Sequence, residues 1–126
     1  MGQTRTMRIY LPATASHLRA AALGSSQEPL VAHAATPALG RALPEEDEEG
    51  LEVSASLCAA DASLVLLAEP GAEELADRRI VIAADVDAEY VRELAVEGDV
   101  LPGTVEVTGE IPWEDVAALL VDEAAA

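Results

Sequence analysis

The segment between Pro44 and Pro70 constrains the fold of this chain most. It begins with a run of acidic residues and continues with apolar residues at helical spacing. The pattern predicts a helix from about Asp47 to Ala68, with Asp47 as its N-cap. Pro70 ends the helix, because the residue before a proline is disfavoured in the α conformation. The predicted apolar stripe, wide enough to lie across a sheet, contains Leu51, Ala55, Cys58, Ala62 and Val65, together with Leu57, Leu64 and Leu67.

Segments with strand character lie on both sides of this helix. Met7–Leu11 and Thr104–Thr108 alternate apolar and polar residues, which is typical of half-buried strands. Ile80–Ala84 is apolar on both faces, which indicates a central strand covered on both sides. Further strands are predicted over Leu30–Ala35 and Leu119–Val121.

Capping and turn residues predict several shorter helices. These run from Thr14 or Ser16 to Leu23, over Pro37–Leu43, over Ala88–Leu94, and from Ile111 to about Ala117. Together the segments predict an α/β or α+β fold. Its mixed sheet of about five strands would be packed by the long central helix and the shorter helices.

The chain of 126 residues has the length of one domain. We expect a flexible N-terminal tail over residues 1–6, a single α/β domain over 7–122 and a frayed C-terminal tail over 123–126. Met7 opens the first predicted strand, so the sequence leaves open whether Met1 or Met7 is the natural start.

The charge of the chain bears on its partners. The formal net charge is −17, and all seven cationic side chains are arginines. Binding nucleic acid requires Lys or Arg to release counterions, and anionic membranes repel an acidic surface. We therefore expect no nucleic-acid or membrane binding, and a protein partner that presents basic side chains. The single cysteine excludes an intramolecular disulfide and fits a cytoplasmic location.

Three polar residues form a candidate ligand-binding site. Tyr10 lies near the end of the first predicted strand, and His33 and Thr36 lie where the second strand leads into a helix. Such strand ends are where many α/β folds bind ligands. If the two strands are neighbours, Tyr10, His33 and Thr36 converge on one rim, with His33 as acid, base or ligand. The alternative, which base rates favour, is a half-buried histidine whose ring donates to a backbone carbonyl.

The acidic run Glu45–Glu49 is a candidate surface for a basic partner. Its spacing lacks the alternating Asp or Asn residues and the glycine of a calcium loop, so no metal site is predicted. A solvated helix start explains the run well, because carboxylates complement the positive end of the helix dipole. The residues concerned are Glu45, Glu46, Asp47, Glu48 and Glu49.

Four other side chains receive structural interpretations. Cys58 lies in the apolar stripe with no activating base, which favours a buried structural thiol. Asp61 is expected at the edge of the stripe or paired with an arginine such as Arg78 or Arg79, and His17 is expected in solvent. Trp113 is expected to fill the gap between the last helix and the sheet, because the core has no phenylalanine.

Five parts of the sequence share a recognisable pattern: Met7–Pro12, His33–Leu39, Asp47–Glu49, Arg79–Asp85, and Ile111–Trp113 ahead of Val121 and Asp122. Together they resemble a family of small acidic actinobacterial proteins of uncharacterised function. The likeness covers about Met7 to Asp122 and implies a cytoplasmic protein, with no cofactor or catalytic residue to transfer. The sequence departs from that family in lacking aromatic residues around its long helix, so no aromatic-lined pocket is expected from the resemblance.

The sequence does not assign a biochemical function. It contains no phosphate-binding glycine loop, no Gly-x-Ser-x-Gly elbow, no paired Cys-x-x-Cys and no His-Glu-x-x-His. We therefore expect a non-catalytic acidic cytoplasmic domain that binds a protein partner and uses no cofactor. The alternative is a small-molecule-binding protein or minor enzyme with its site at the rim of Tyr10, His33 and Thr36.

Overall fold

A computed structural model describes residues 5–13, 22–23, 29–68, 80–98 and 100–121 of the chain. The described residues form eight strands and two α-helices. The strands are β1 (Thr6–Ala13), β2 (Ala22–Leu23), β3 (Leu30–His33), β4 (Ile80–Asp87), β5 (Val91–Glu93), β6 (Thr104–Val107), β7 (Ile111–Pro112) and β8 (Val116–Val121). The helices are α1 (Pro37–Ala42) and α2 (Glu48–Ala68), and short 3-10 turns cover Ala88–Tyr90 and Trp113–Asp115.

Six strands form one antiparallel sheet in the order β5-β6-β3-β1-β4-β8. The fold is therefore α+β. The prediction of a mixed sheet of about five strands was wrong, because sequence patterns do not show which strands pair. β2 and β7 form a separate two-stranded sheet.

The two faces of the large sheet bury different residues. On one face Ile9, Leu11 and Ala13 pack with alternate residues of β4 and β6 and with Leu23 and Ile111 of the small sheet. This cluster is the larger core, and Trp113 packs against it. Trp113 was predicted to fill a gap between a last helix and the sheet; it is partly buried against this core, but that helix is not formed.

The other face of the sheet is covered by α1 and α2. Tyr10, Val81 and Ala83 of the sheet pack there with Leu39 of α1 and with Ala55 and Ala59 of α2. Small residues on the buried side of α2 let the helix approach the sheet closely. β4 is thus buried on both faces, as its apolar sequence predicted.

The buried side of α2 differs from the predicted stripe. Of the predicted stripe, Ala55 is buried and Leu51 packs against the core, but Leu57 is 59% exposed. Ala59 and Ser63, outside the predicted stripe, are buried. The side chains of residues 64–68 lie outside the described part of the chain. Cys58 is only partly buried, so the prediction of a buried cysteine was wrong. Because α2 carries apolar residues on several sides, the size and hydropathy of its side chains did not identify the side of the helix that faces the sheet.

Several predicted short helices are strands instead. Ala88–Leu94 forms one 3-10 turn and then β5, and the segment after Ile111 forms β7, a 3-10 turn and β8. Ala22 and Leu23, predicted as the end of a helix, form β2, while residues 14–21, with His17, lie outside the described residues. The helix predicted over Pro37–Leu43 is confirmed as α1, and β1 extends past Pro12 to Ala13.

In the part of the chain that the structure describes, no helix has the length and apolar character needed to cross a membrane.

Candidate functional site

β1 places two polar side chains on the sheet face that α2 covers. Arg8 and Tyr10 are two residues apart, so they project from the same face of the strand. Arg8 lies opposite Asp85 in the register of β1 and β4. Its Nε donates to Asp85 Oδ1 at 2.6 Å, and its Nη2 donates to Asp85 Oδ2 at 2.9 Å. This bidentate pair fixes the guanidinium and holds the pKa of the Asp85 carboxyl below its ordinary value.

Tyr10 connects the sheet to α2. Its hydroxyl donates to Glu52 Oε1 at 2.7 Å, and only 8% of the residue is exposed. Burial, together with the Glu52 carboxylate, raises the pKa of the Tyr10 phenol to about 12. The phenol is therefore a hydrogen-bond donor at neutral pH and holds the Glu52 side chain in place.

The acidic run forms the start of α2. Asp47 Oδ1 accepts from the Gly50 backbone N–H at 2.8 Å, which caps the helix as the sequence predicted. Glu48 and Glu49 follow in the first turn and are exposed. Glu48 and Glu52 are four residues apart, so they share one side of the helix.

These groups meet in an open cleft of about 660 Å³ between β1 and the start of α2. Six residues line it: Arg8, Tyr10, Asp47, Glu48, Glu49 and Glu52. We call this surface the acidic cleft. The charge of Arg8 is matched by Asp85, which leaves the cleft with an excess of carboxylate. Such a cleft suits a guanidinium or ammonium group.

The rest of the acidic run lies elsewhere. Glu45 and Glu46 line a smaller hollow of about 240 Å³ with Ala42, Leu43 and Pro44. The acidic run therefore spans two concave surfaces. No three His, Cys, Asp or Glu side chains in the described part of the chain are grouped as metal ligands.

The structure brings two of the three predicted rim residues together. Tyr10 and His33 lie directly opposite each other on β1 and β3. Thr36 caps α1 and is buried, and its hydroxyl accepts from the Leu39 backbone N–H at 3.2 Å. The hydroxyls of Tyr10 and Thr36 are thus both engaged within the fold. Whether Tyr10, His33 and Thr36 bind a ligand stays a prediction.

The imidazole of His33 is unusual because it is buried without a partner on one nitrogen. The residue is 7% exposed, and its Nδ1 has no hydrogen-bond partner in the described structure. Burial lowers the pKa of His33 below its ordinary value, since the charged form loses its hydration.

Sequence reasoning missed three residues around the acidic cleft, namely Arg8, Glu52 and Asp85. Two signals were present. Arg8 is two residues from Tyr10 on a strand, and Glu52 is four residues from Glu48 on a helix. The missing information was which strand the start of α2 lies against.

Replacing Tyr10 with phenylalanine is expected to reduce the free energy of unfolding by about 1–2 kcal/mol, because Glu52 loses a charge-assisted hydrogen bond. Equilibrium urea unfolding measures the change. Tyr90→Phe is the matched control, since Tyr90 is half exposed and should change stability little. An equal loss in both variants would show that the Tyr10–Glu52 bond contributes nothing.

His33 should make the fold less stable as pH falls below about 6.5, the ordinary pKa of histidine. The folded pKa of His33 is depressed, so between it and the unfolded value near 6.5 only the unfolded chain binds the proton. The unfolded state therefore gains stability in this window. NMR titration of the imidazole, with urea unfolding at several pH values, tests this. A His33→Leu variant should flatten the pH dependence, and an unchanged slope would contradict the assignment.

The fold and the cleft define a small α+β domain with an acidic cleft at the start of its longer helix. The chain belongs to DUF6912, a family of unknown function, which matches residues 7–126. No curated protein and no solved structure matches it. Membership of an uncharacterised family is thus confirmed, while the actinobacterial origin and general acidity of the family stay predictions.

Proposed function

We propose that this domain is a non-catalytic binding module that receives a basic side chain of a partner protein in the acidic cleft. The observation that carries the proposal is the convergence of four carboxylates on one open concave surface. They belong to Asp47, Glu48, Glu49 and Glu52.

The state of each carboxylate supports this role. Glu48 and Glu49 are exposed on the first turn of α2, and neither forms an ion pair within the described part of the chain. Glu52 is held by Tyr10, and Asp47 by its capping bond. Two acids are thus fixed and two can adjust, which suits recognition of an Arg or Lys side chain that enters from solvent.

The charge of the whole chain adds to the attraction. A net charge of −17 steers cationic surfaces toward the domain, and this contribution weakens as salt screens it. A complex made at the acidic cleft should therefore associate more slowly in moderate salt than in low salt.

The test is capture of partner proteins from a lysate of the native host with three immobilised forms of the chain, read by mass spectrometry at low and moderate salt. The cleft variant combines Glu48→Gln, Glu49→Gln and Glu52→Gln. Each glutamine retains an oxygen acceptor, so the bond from Tyr10 to residue 52 can persist. We expect the cleft variant to lose a partner that the native chain retains at low salt.

The matched control combines Glu89→Gln, Glu110→Gln and Glu114→Gln, all exposed and outside the acidic cleft. Both triple variants change the net charge equally. Loss of the partner from both would assign binding to overall charge rather than to the cleft. Retention by both would remove the proposal.

A second candidate function is a small-molecule site beside His33. The specific observation in its favour is the buried Nδ1 of His33 without a partner, directly opposite Tyr10 in the sheet. A ligand donor or acceptor that reached this nitrogen would remove an unfavourable unsatisfied group. Ligand screening by thermal shift, repeated on His33→Leu, tests it: a hit that stabilises both proteins equally does not bind at His33.

A further inference from the structure

α2 places small side chains against the sheet and larger apolar side chains in solvent. Ala55 and Ala59 are buried on the sheet. On the outer side of the helix, Val53 is 53% exposed and Leu57 is 59% exposed. A surface helix normally presents polar residues to solvent, so apolar residues on its outer side indicate a second packing partner. We call Val53 and Leu57 the outer pair.

The outer pair continues a line of side chains that starts at the acidic cleft. Glu49, Val53 and Leu57 are each four residues apart, so they are neighbours along the helix surface. The rise from Glu49 to Leu57 is about 12 Å, or two turns. Glu49 also lines the acidic cleft, beside Glu48. A partner that covers the outer pair therefore reaches the carboxylates of the acidic cleft along the same helix.

The spacing of this line suits a helical partner. Side chains three and four residues apart form the ridges and grooves by which helices pack on each other. Ser56 lies three residues after Val53 and is small, which leaves room for an apolar side chain of the partner. Its hydroxyl donates to the Val53 carbonyl within α2, so an apolar residue can cover it without leaving the hydroxyl unpaired. An amphipathic helix laid along α2 fits this surface.

The position of the carboxylates sets the direction of that helix. They lie at the N-terminal end of α2, so a partner helix that runs antiparallel to α2 brings its own last turn to the acidic cleft. Lys and Arg are favoured in the last turn of a helix, because they complement the negative end of its dipole. Charge in the cleft and the dipole of the partner therefore favour the same arrangement, with the basic residues in the partner's last turn.

A second copy of the chain does not fit this description. α2 contains no Lys or Arg, so the same helix of another copy would bring no cation to the acidic cleft. The net charge of −17 on each copy adds repulsion between them. The charges therefore favour a different, basic protein as the occupant.

We propose that the outer pair and the acidic cleft together bind an amphipathic helix of a partner protein, which runs antiparallel to α2 and carries Lys or Arg in its last turn. Val53 and Leu57 contact its apolar side, and Glu48 and Glu49 bind its basic turn. The inference rests on the proposed function, because the acidic cleft supplies the charged end of the surface. It adds the apolar contact, the helical form of the partner and its direction.

The test measures binding of the full chain to a fluorescein-labelled, C-terminally amidated peptide by fluorescence anisotropy at low salt. Its sequence is Ser-Ala-Gln-Leu-Ala-Gln-Ala-Leu-Gln-Ala-Leu-Ala-Gln-Ala-Arg-Arg, which places three leucines on one side of a helix and two arginines in the last turn. A second peptide replaces the leucines with glutamine, and a third replaces the arginines with glutamine. We expect saturable binding of the first peptide, and affinity for each of the others weaker by about tenfold or more.

Protein variants locate the two parts of the surface. Val53→Gln combined with Leu57→Gln removes the outer pair and should weaken binding of the first peptide by about tenfold or more. The matched control combines Val96→Gln with Leu101→Gln, at residues that are 54% and 56% exposed outside α2, and should leave the affinity unchanged. The cleft variant should also weaken binding. Circular dichroism checks that every variant folds.

A paramagnetic label determines the direction of the bound peptide. A nitroxide attached to the C-terminal end of the first peptide should broaden the NMR signal of the Glu49 amide more than that of the Ala60 amide. Stronger broadening at Ala60 would overturn the antiparallel arrangement.

Failure of this inference can be told apart from failure of the proposed function. If the cleft variant loses the peptide and the outer-pair variant retains it, the inference is overturned and the proposed function stands. If only the outer-pair variant loses it, the basic turn does not lie in the cleft, which counts against both. A first peptide that does not saturate, or that binds no better than the glutamine peptides, also overturns the inference. Self-association in sedimentation that the outer-pair variant abolishes would assign this surface to a second copy instead.

Discussion

Replacing Gly103 with alanine is expected to lower the free energy of unfolding by about 2–4 kcal/mol. Gly103 has a φ of +92°, a backbone conformation that residues with a Cβ rarely adopt. An added Cβ would lie 3.0 Å from the backbone oxygen of Ala34 and 3.4 Å from Leu39 Cδ2. The substitution therefore adds backbone strain and a steric conflict with a main-chain atom.

The position of Gly103 makes this conflict difficult to relieve. Its carbonyl accepts from the Ala34 backbone N–H at 2.8 Å, which ties the exit of β3 to the entry of β6. Moving the loop outward would weaken that bond, and moving Leu39 would disturb α1 on the sheet. The neighbouring elements thus hold the glycine close to Ala34.

Gly109→Ala is the matched control for Gly103→Ala. Gly109 has a similar φ of +84°, but an added Cβ would meet no atom within 4 Å. Only backbone strain remains in this variant, so its free energy of unfolding should fall by a smaller amount, about 1–2 kcal/mol. Urea unfolding measures both variants. Equal losses at the two glycines would show that the approach to Ala34 contributes nothing.

Local signals were sufficient to predict some elements of the fold. The Thr36-Pro37 pair predicts α1 because a threonine cap and a proline at the first helical position are both local preferences. Val105 and Val107 predict the buried side of β6 because alternation is set by the strand itself. In both cases the residues that determine the element lie within it or directly beside it in the sequence.

Long-range effects decided the elements that were predicted wrongly. Asp87 caps a 3-10 turn at the start of the predicted helix, but Val91–Glu93 then pairs with β6 instead of continuing a helix. Val116 and Ala117, predicted as the end of a helix, likewise belong to β8, which pairs with β4, whereas the strand predicted over Leu119–Val121 is confirmed. Backbone pairing with a distant strand outweighed local helix preference, and no pattern within either segment shows that partner.

In the candidate site, too, local sequence predicted individual residues but not the packing that brings them together. The acidic residues at the start of α2 were visible because they are consecutive, and Tyr10 was visible as a polar residue near a strand end. Their meeting in the acidic cleft depends on how α2 lies on β1, which follows from the close approach that Ala55 and Ala59 allow. That packing brings Glu52 to the hydroxyl of Tyr10 and defines the acidic cleft.

Replacing Ser63 with alanine is the second change with a large expected effect. The Ser63 hydroxyl donates to the Ala13 carbonyl at 2.8 Å and accepts from the Ile80 backbone N–H at 3.1 Å. Ala13 and Ile80 are opposite residues at the ends of β1 and β4, and Ser63 is fully buried. Alanine would leave both backbone groups without this partner, so we expect a loss of about 2–4 kcal/mol in the free energy of unfolding.

Ser56→Ala separates this effect from the loss of any helical serine. The Ser56 hydroxyl donates only to the Val53 carbonyl within α2, so its removal should change stability by less than about 0.5 kcal/mol. Amide hydrogen exchange adds a local readout: in Ser63→Ala, the Ile80 N–H should exchange faster relative to the rest of β4. If stability and Ile80 exchange both stayed as in the native chain, the Ser63 hydroxyl would contribute nothing to joining α2 to the sheet.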